Sequence, residues 1–179
     1  MVYIFLADGF EEIEALTQID YLRRAGIDII SVGIGGERIK GAHGIEVTAD
    51  ITEDEMTDDG LEMIILPGGL GGVDGIKSSK TAVDAIRRGV GNGIYIAAIC
   101  AAPTILAQMG LLEGKRAVCY PSMSDELCGC IPCRDRVAVD GKFITSIAAG
   151  SSEEFSFVLI EVLLGKASAE KVRAGIYAR

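Results

Sequence analysis

Cys100 stands where the apolar run Ile94-Tyr-Ile-Ala-Ala-Ile99 gives way at once to Ala101-Ala102-Pro103-Thr104-Ile105-Leu106. A buried strand handing over to a helix through so tight a turn presents the residue on that turn, and here the residue is a thiol. Partial positive charge and unpaired N–H groups at a helix N-terminus favour thiolate, so Cys100 is expected to have the lowest pKa of the five cysteines and to act as a nucleophile. The same position also suits a small, inert, buried cysteine. The neighbouring loops decide between the two.

Two other loops end apolar runs that read as parallel strands: Ala7-Asp8-Gly9-Phe10-Glu11-Glu12-Ile13-Glu14 after the first, and Pro67-Gly68-Gly69-Leu70-Gly71-Gly72 after the third. Open parallel sheets bind ligands outside the C-terminal ends of their strands, near the point where strand order reverses. If the first strand lies beside the third and the third beside the fourth, both loops meet Cys100. Glu11 and Glu12 read as carboxylates that complement a helix dipole. Glu14 lies next to Ile13 and two residues before Leu16, close to the buried side, where a carboxyl needs a partner or a proton. Beside a thiolate its pKa should rise, so that it can donate to sulfur and later shuttle a proton. The glycine loop lacks the Lys-Ser/Thr of a phosphate-binding loop, which argues against a nucleotide. Close backbone approach is the better use: the N–H groups of Gly69 and Ala101 would form an oxyanion hole beside Cys100, with Gly68 among the oxyanion and binding residues.

The elements that must position these residues alternate between short apolar runs and amphipathic segments. That pattern predicts an α/β flavodoxin-like three-layer sandwich with a mostly parallel central sheet. Strands are expected at 2–6, 27–34, 61–66 and 94–99, with shorter ones at 116–119, 136–139 and 143–146. A helix over 11–25 would carry its apolar stripe on Ile13, Leu16, Ile19 and Leu22, with Arg23-Arg24 at its end and Gly26 as terminator. The stretch 33–48 reads as a hairpin-like excursion. Helices are expected over 81–88, from Cys100 to Met109-Gly110, over 152–164 and over 167–174. No linker or repeat interrupts the chain, so residues 1–179 are expected to form a single domain.

With 179 residues, 49% of them hydrophobic, the chain can bury roughly 70% of its unfolded surface without a cofactor or disulfide. A net charge of -9 and the absence of any basic cluster larger than Arg23-Arg24 or Arg87-Arg88 argue against a nucleic-acid partner. The opening Met1-Val-Tyr-Ile-Phe-Leu6 lacks basic residues and is too short for a signal or a membrane span. A cytoplasmic chain with reduced thiols and no membrane partner is the expectation.

Ala7 to Glu14, Arg23-Arg24-Ala25-Gly26, Leu66-Pro67-Gly68-Gly69, Ala97 to Thr104, Asp140 to Ser146 and Glu154-Phe155 together resemble the DJ-1/ThiJ/PfpI superfamily, and more closely its DJ-1 and bacterial YajL branch. The resemblance covers nearly the whole chain. It implies a flavodoxin-like sandwich, a homodimer, and an oxidation-sensitive cysteine at Cys100 paired with Glu14. Activities it implies include cofactor-independent glyoxalase, deglycation of early glyoxal adducts, redox-dependent chaperoning and protection against oxidative stress. Where some members carry a histidine near the site, this chain has Tyr120, within Val118-Cys119-Tyr120-Pro121. Tyr120 can donate a hydrogen bond but is a poor base near neutrality. The peptidase branch places histidine directly after the nucleophile, where this chain has Ala101. The lone histidine, His43, is read as a surface or dimer-interface residue.

Cys119, Cys128, Cys130 and Cys133 remain outside the resemblance. Only Cys130 and Cys133 have knuckle spacing, so a zinc or iron-sulfur site stays open beside the preferred reading, a thiol-rich loop able to form a reversible disulfide. The expected function is attack of Cys100 on a small 2-oxoaldehyde such as methylglyoxal or on an early adduct, with Glu14 as proton relay and with no metal, nucleotide or glutathione. The competing expectation is a redox sensor or chaperone whose Cys100 is oxidised to a sulfinate.

Overall fold

The computed structural model describes residues 1–178. The strands are β1 (Val2–Leu6), β2 (Ile29–Gly33), β3 (Arg38–Lys40), β4 (Glu46–Thr48), β5 (Ile51–Thr52), β6 (Met63–Leu66), β7 (Tyr95–Ile99), β8 (Arg116–Ala117), β9 (Ile131–Pro132), β10 (Val137–Asp140) and β11 (Phe143–Ser146). The helices are α1 (Glu12–Arg24), α2 (Leu70–Ser78), α3 (Lys80–Gly91), α4 (Pro103–Gln108), α5 (Ser152–Leu164) and α6 (Lys166–Gly175). Seven strands form the central sheet in the order β10-β11-β7-β6-β1-β2-β5. All its pairings are parallel except the β10–β11 hairpin. The first strand therefore lies beside the third long strand, β6, and β6 beside β7, as the convergence of the three loops requires.

Both faces of the long strands are buried, which is why they read as continuous apolar runs rather than alternating ones. Tyr3 and Phe5 of β1 pack with Ile64 and Leu66 of β6 against α2, α3 and α4. Val2, Ile4 and Leu6 pack with Met63 and Ile65 against α1, α5 and α6 on the opposite face. Among the described residues no helix is long and apolar enough to cross a membrane. The excursion between β2 and β5 is a real hairpin, with β3 and β4 antiparallel.

Four local expectations need correction. The buried side of α1 carries Glu14, Ala15, Gln18 and Leu22, whereas Ile13 is 55% exposed. Polar bonds turn that face inward: the Gln18 amide donates to the Ser152 carbonyl at 3.3 Å and accepts from the Ser156 hydroxyl at 2.7 Å. The glycine loop is brief, because α2 begins at Leu70. Gly71, Gly72 and Gly75 lie against the 7–10 turn, where a Cβ would strike Asp8, Phe10 and Ala7 respectively. The helix expected over 81–88 runs from Lys80 to Gly91, through Gly89, whose missing side chain makes room for Ile94 and Ile64. The strand expected over 116–119 is only β8, so Cys119 lies beyond it.

Candidate active site

Cys100 follows β7 directly and adopts φ 64, a left-handed conformation that costs a non-glycine residue about 1–3 kcal/mol. Backbone bonds hold it there. Its N–H donates to the Ser146 carbonyl at 2.9 Å, and its own carbonyl accepts the Tyr120 N–H at 2.7 Å. The Thr104 hydroxyl closes the following turn on the Ala101 carbonyl at 2.8 Å. The cysteine thereby sits on a strained strand-turn-helix elbow beyond the strand end, the kind of turn that can present a nucleophile.

Glu14, in the first turn of α1, is only 1% exposed. Its Oε2 accepts the Gly68 N–H at 2.9 Å, it also accepts the Ala149 N–H, and it is hydrogen-bonded to the Cys100 sulfur. Gly68 fills the gap between the two side chains. A Cβ there would press onto the Glu14 carboxylate and lie 2.7 Å from Cys100 Cβ. Gly69 has φ 87, caps α2, and crowds the Gly9 carbonyl so closely that no side chain fits. The N–H groups of Ala101 and Gly69 both reach the Cys100 sulfur. The two proposed oxyanion donors are thus aimed at the thiol itself in the resting site.

Burial pushes the Glu14 carboxyl up to about 7, against the hydrogen bonds from Cys100 and the Gly68 N–H and with help from the Glu11 charge. Burial first, then the Glu14 charge and its hydrogen bond, push the Cys100 thiol up to about 12. The helix N-terminus therefore does not lower the Cys100 thiol as expected, and burial raises Cys119 as well. Two physical reasons account for this. Helix α4 starts three residues beyond the thiol, leaving only two N–H groups to favour thiolate, and they are outweighed by desolvation and a neighbouring carboxylate. The pair titrates as a unit. When it holds one proton, moving that proton from sulfur to Glu14 removes the opposing charge and leaves a thiolate facing a carboxylic acid.

A cavity of about 400 Å³ opens above the sulfur, walled by Glu11, Gly69, Leu70, Tyr120 and Met123. Glu11, expected to serve only the helix dipole, thus borders the site. Tyr120 lies in the wall with 44% exposure, and the bond it supplies to Cys100 is a backbone one. Leu70, Met123 and Ala149 were not singled out from sequence. Ala149 acts through its N–H, which no residue type reveals.

Glu12 also departs from its expected role. It is buried, its Oε1 accepts the His43 N–H at 2.7 Å, and its Oε2 meets His43 Nδ1 at 2.8 Å. His43 is therefore a clasp between hairpin and α1 and takes no part in a cysteine-histidine dyad. Among the described residues the Glu11, Glu12 and His43 ligand atoms are the group gathered within 4.8 Å of one another.

The DJ-1/PfpI family model matches residues 1–162. The Drosophila melanogaster protein dj-1beta is 38% identical over 176 residues, covering 97% of this chain and 94% of that protein. The crystal structure of Drosophila melanogaster DJ-1beta superposes with a TM-score of 0.94 at 36% identity, over 99% of this chain and 97% of that one. The Arabidopsis thaliana DJ-1 homolog B is 38% identical over 99% of this chain, which spans 41% of that longer protein. A Pyrococcus abyssi protein named a deglycase is 29% identical over 83% of this chain and 90% of its own length. With an elbow cysteine, a buried glutamate on the first helix and a whole-length likeness in sequence and fold, the chain belongs to the DJ-1/PfpI family.

Proposed function

We propose that the protein is a cysteine-dependent, cofactor-independent glyoxalase or deglycase that acts on small 2-oxoaldehydes such as methylglyoxal, or on their early adducts, as protection against carbonyl stress. One observation carries this reading: the Cys100 thiol, which lines a small cavity, shares a hydrogen bond with the buried Glu14 carboxyl, which burial pushes up to about 7. An acid near neutrality is suited both to accept and to return a proton. The deglycase name of the archaeal relative supports the same substrate class.

In the proposed reaction the Cys100 thiolate adds to the aldehyde carbon, forming a carbon–sulfur bond, while the former carbonyl oxygen takes the proton from Glu14. The N–H groups of Gly69 and Ala101 stabilise the developing oxyanion as they leave the sulfur. The Glu14 carboxylate removes the proton on the hemithioacetal carbon and returns it to the adjacent carbon, while the hydroxyl proton passes to the neighbouring oxygen, giving a 2-hydroxy thioester. Water then cleaves the carbon–sulfur bond, releasing the hydroxy acid and restoring the thiol. Site roles follow: Cys100 is the nucleophile, Glu14 the relay, and Gly68 the spacer that lets them meet. Ile13 and Ile45, 55% and 51% exposed on α1 and the hairpin, are apolar groups that a second copy in a homodimer would cover.

Purified protein supplied with methylglyoxal and no glutathione should produce lactate of one hand, resolved by chiral chromatography. Cys100→Ala should produce none above the uncatalysed background. Equal lactate from both proteins would overturn the proposal.

A further inference from the structure

A second cavity, of about 520 Å³, lies on the far side of the segment that walls the catalytic pocket. Cys119, Cys130 and Cys133 line it, while Tyr120, Ser122 and Met123 line the catalytic pocket. All five thiols are free. Two sulfurs are set apart: Cys133 lies 3.4 Å from Arg116 Nη2 and 3.1 Å from Asp135 Oδ2, and Cys128 is exposed and outside the cavity lining. Cys119 and Cys130 remain. Cys119 is buried, Cys130 is half-buried beside Gly129 at φ 81, and both line the same cavity.

We propose that Cys119 and Cys130 form a reversible disulfide across this cavity and that the bond resets the wall of the catalytic pocket. The connection is short. The Cys119 S–H donates to the Tyr120 carbonyl at 3.4 Å, and the Tyr120 N–H holds the Cys100 carbonyl at 2.7 Å. Oxidation removes that S–H donor and pulls Cys119 toward the cavity, displacing the residue that braces the strained elbow. The loop after Leu127 supplies the movement, because Gly129 requires no side chain to be repacked and the cavity provides room.

The oxidant is a small disulfide. The Cys130 thiolate attacks one of its sulfurs, its S–S bond breaks, and one small thiol leaves with the proton that Cys130 gave up. The Cys119 thiol then attacks the mixed disulfide at the Cys130 sulfur, and the second small thiol leaves with the Cys119 proton. Two protein thiols are oxidised and one small disulfide is reduced to two thiols. A thiophilic cation is the less favoured occupant, because the cysteine sulfurs are not gathered at common ligand distance as the Glu11, Glu12 and His43 atoms are.

The test uses the whole protein and oxidised glutathione, and it reads no turnover, so it stands apart from the proposed activity. Acid-quenched, non-reducing peptide mass spectrometry should find the Cys119 and Cys130 peptides joined with loss of two hydrogens. Dithiothreitol should separate them, and Cys119→Ser and Cys130→Ser should each abolish the link. In molecules whose Cys100 carries no glutathione, iodoacetamide should label Cys100 several-fold more slowly after oxidation, with the rate restored by dithiothreitol. A link between Cys130 and Cys128 or Cys133 with Cys119 free would overturn the proposal, as would a Cys119–Cys130 link with an unchanged Cys100 rate. So would one equivalent of zinc that protects all three cavity thiols from both oxidation and alkylation. Should the serine variants fail to fold, reversal in the unaltered protein decides.

Discussion

Glu12 and Glu14 are two residues apart on one helix and are both buried, yet their acidities move in opposite directions. Burial works against the charge of each. At Glu12 the hydrogen bonds from the His43 ring and from the His43 and Ile45 N–H groups overcome it and hold the carboxyl below its ordinary value. At Glu14 burial prevails, since a thiol is a weaker donor and the nearby Glu11 charge adds to the penalty. Depth and donors act together: Glu12 lies near the surface under a His43 ring that is itself exposed and is rich in donors, whereas Glu14 lies deep behind Cys100, and the two settings separate a structural carboxylate from one raised toward neutrality.

Substituting the poised member should give the largest effect. Glu14→Gln keeps the Gly68 N–H acceptor but carries no transferable proton, so turnover of methylglyoxal should fall by about 10²–10⁴-fold. Two of the three causes that raise the Cys100 thiol vanish with the carboxylate. Alkylation of Cys100 should accordingly rise through an apparent pKa of about 7 in the unaltered protein, where loss of the first proton creates the thiolate tautomer. In Glu14→Gln it should follow a single titration below 12. An unaltered alkylation profile in the variant would dissolve the coupling.

Gly68→Ala tests the same pair by distance alone. Its methyl group would enter the gap between Glu14 and Cys100, and a displacement of about 1 Å at reacting groups can cost about a hundredfold in rate. Turnover should fall by that order with the circular dichroism spectrum unchanged, and Cys100 alkylation should lose its step near neutrality.

Stability should separate the two glutamates by sign. Glu14 has a folded pKa of about 7, above its ordinary 4.5, so its favourable contribution is complete below 4.5 and is lost as pH rises through 7. Relative to the unaltered protein, Glu14→Gln should gain up to about 3 kcal/mol in urea unfolding between pH 5 and pH 8. Glu12 is lowered and its partner His43 is raised. Their mutual stabilisation is lost as pH falls through the Glu12 value, and it weakens as pH rises through the His43 value. Glu12→Gln should cost about 1–3 kcal/mol near pH 5.5 and less at pH 8, because a neutral amide loses most where His43 is charged. Catalytic pH dependence should be unmoved by Glu12→Gln. Parallel rather than opposed slopes for the two variants would mean that the donor count does not distinguish them.

The parts of this arrangement that were legible in sequence are those in which side-chain type and strand order suffice. The parallel order, the elbow at Cys100, the burial of Glu14 and the close approach of Gly68 and Gly69 all follow from apolar runs and from loops at their ends. Helix faces were less legible. The apolar stripe on Ile13 points outward because Gln18 and two serines on α5 satisfy one another and turn a mixed face inward. Helix α2 was hidden by glycines that are present for packing against residues 7–10 and not for turning. Helix proximity alone overstates the acidity of Cys100, because it leaves out burial and the opposing carboxylate charge. Backbone donors such as the Ala149 N–H leave no trace in residue identity.

The smallest effect is expected at Tyr120, the position where relatives with a histidine would place a titrating group. Its contribution to the elbow is the N–H bond to the Cys100 carbonyl, which survives any change of side chain other than proline. The phenol is 44% exposed in the wall of the cavity. Tyr120→Phe should therefore keep turnover within about twofold and leave the step near neutrality in place, since Glu14 sets it. Tyr120→His should add no new limb to the pH profile. A hundredfold loss in Tyr120→Phe at unchanged fold would place the hydroxyl on the developing oxyanion, a magnitude typical of losing one such donor. The comparison of Glu12 with Glu14 would then have to admit a third group, because the proton count at the site would no longer be set by the carboxyl and the thiol alone.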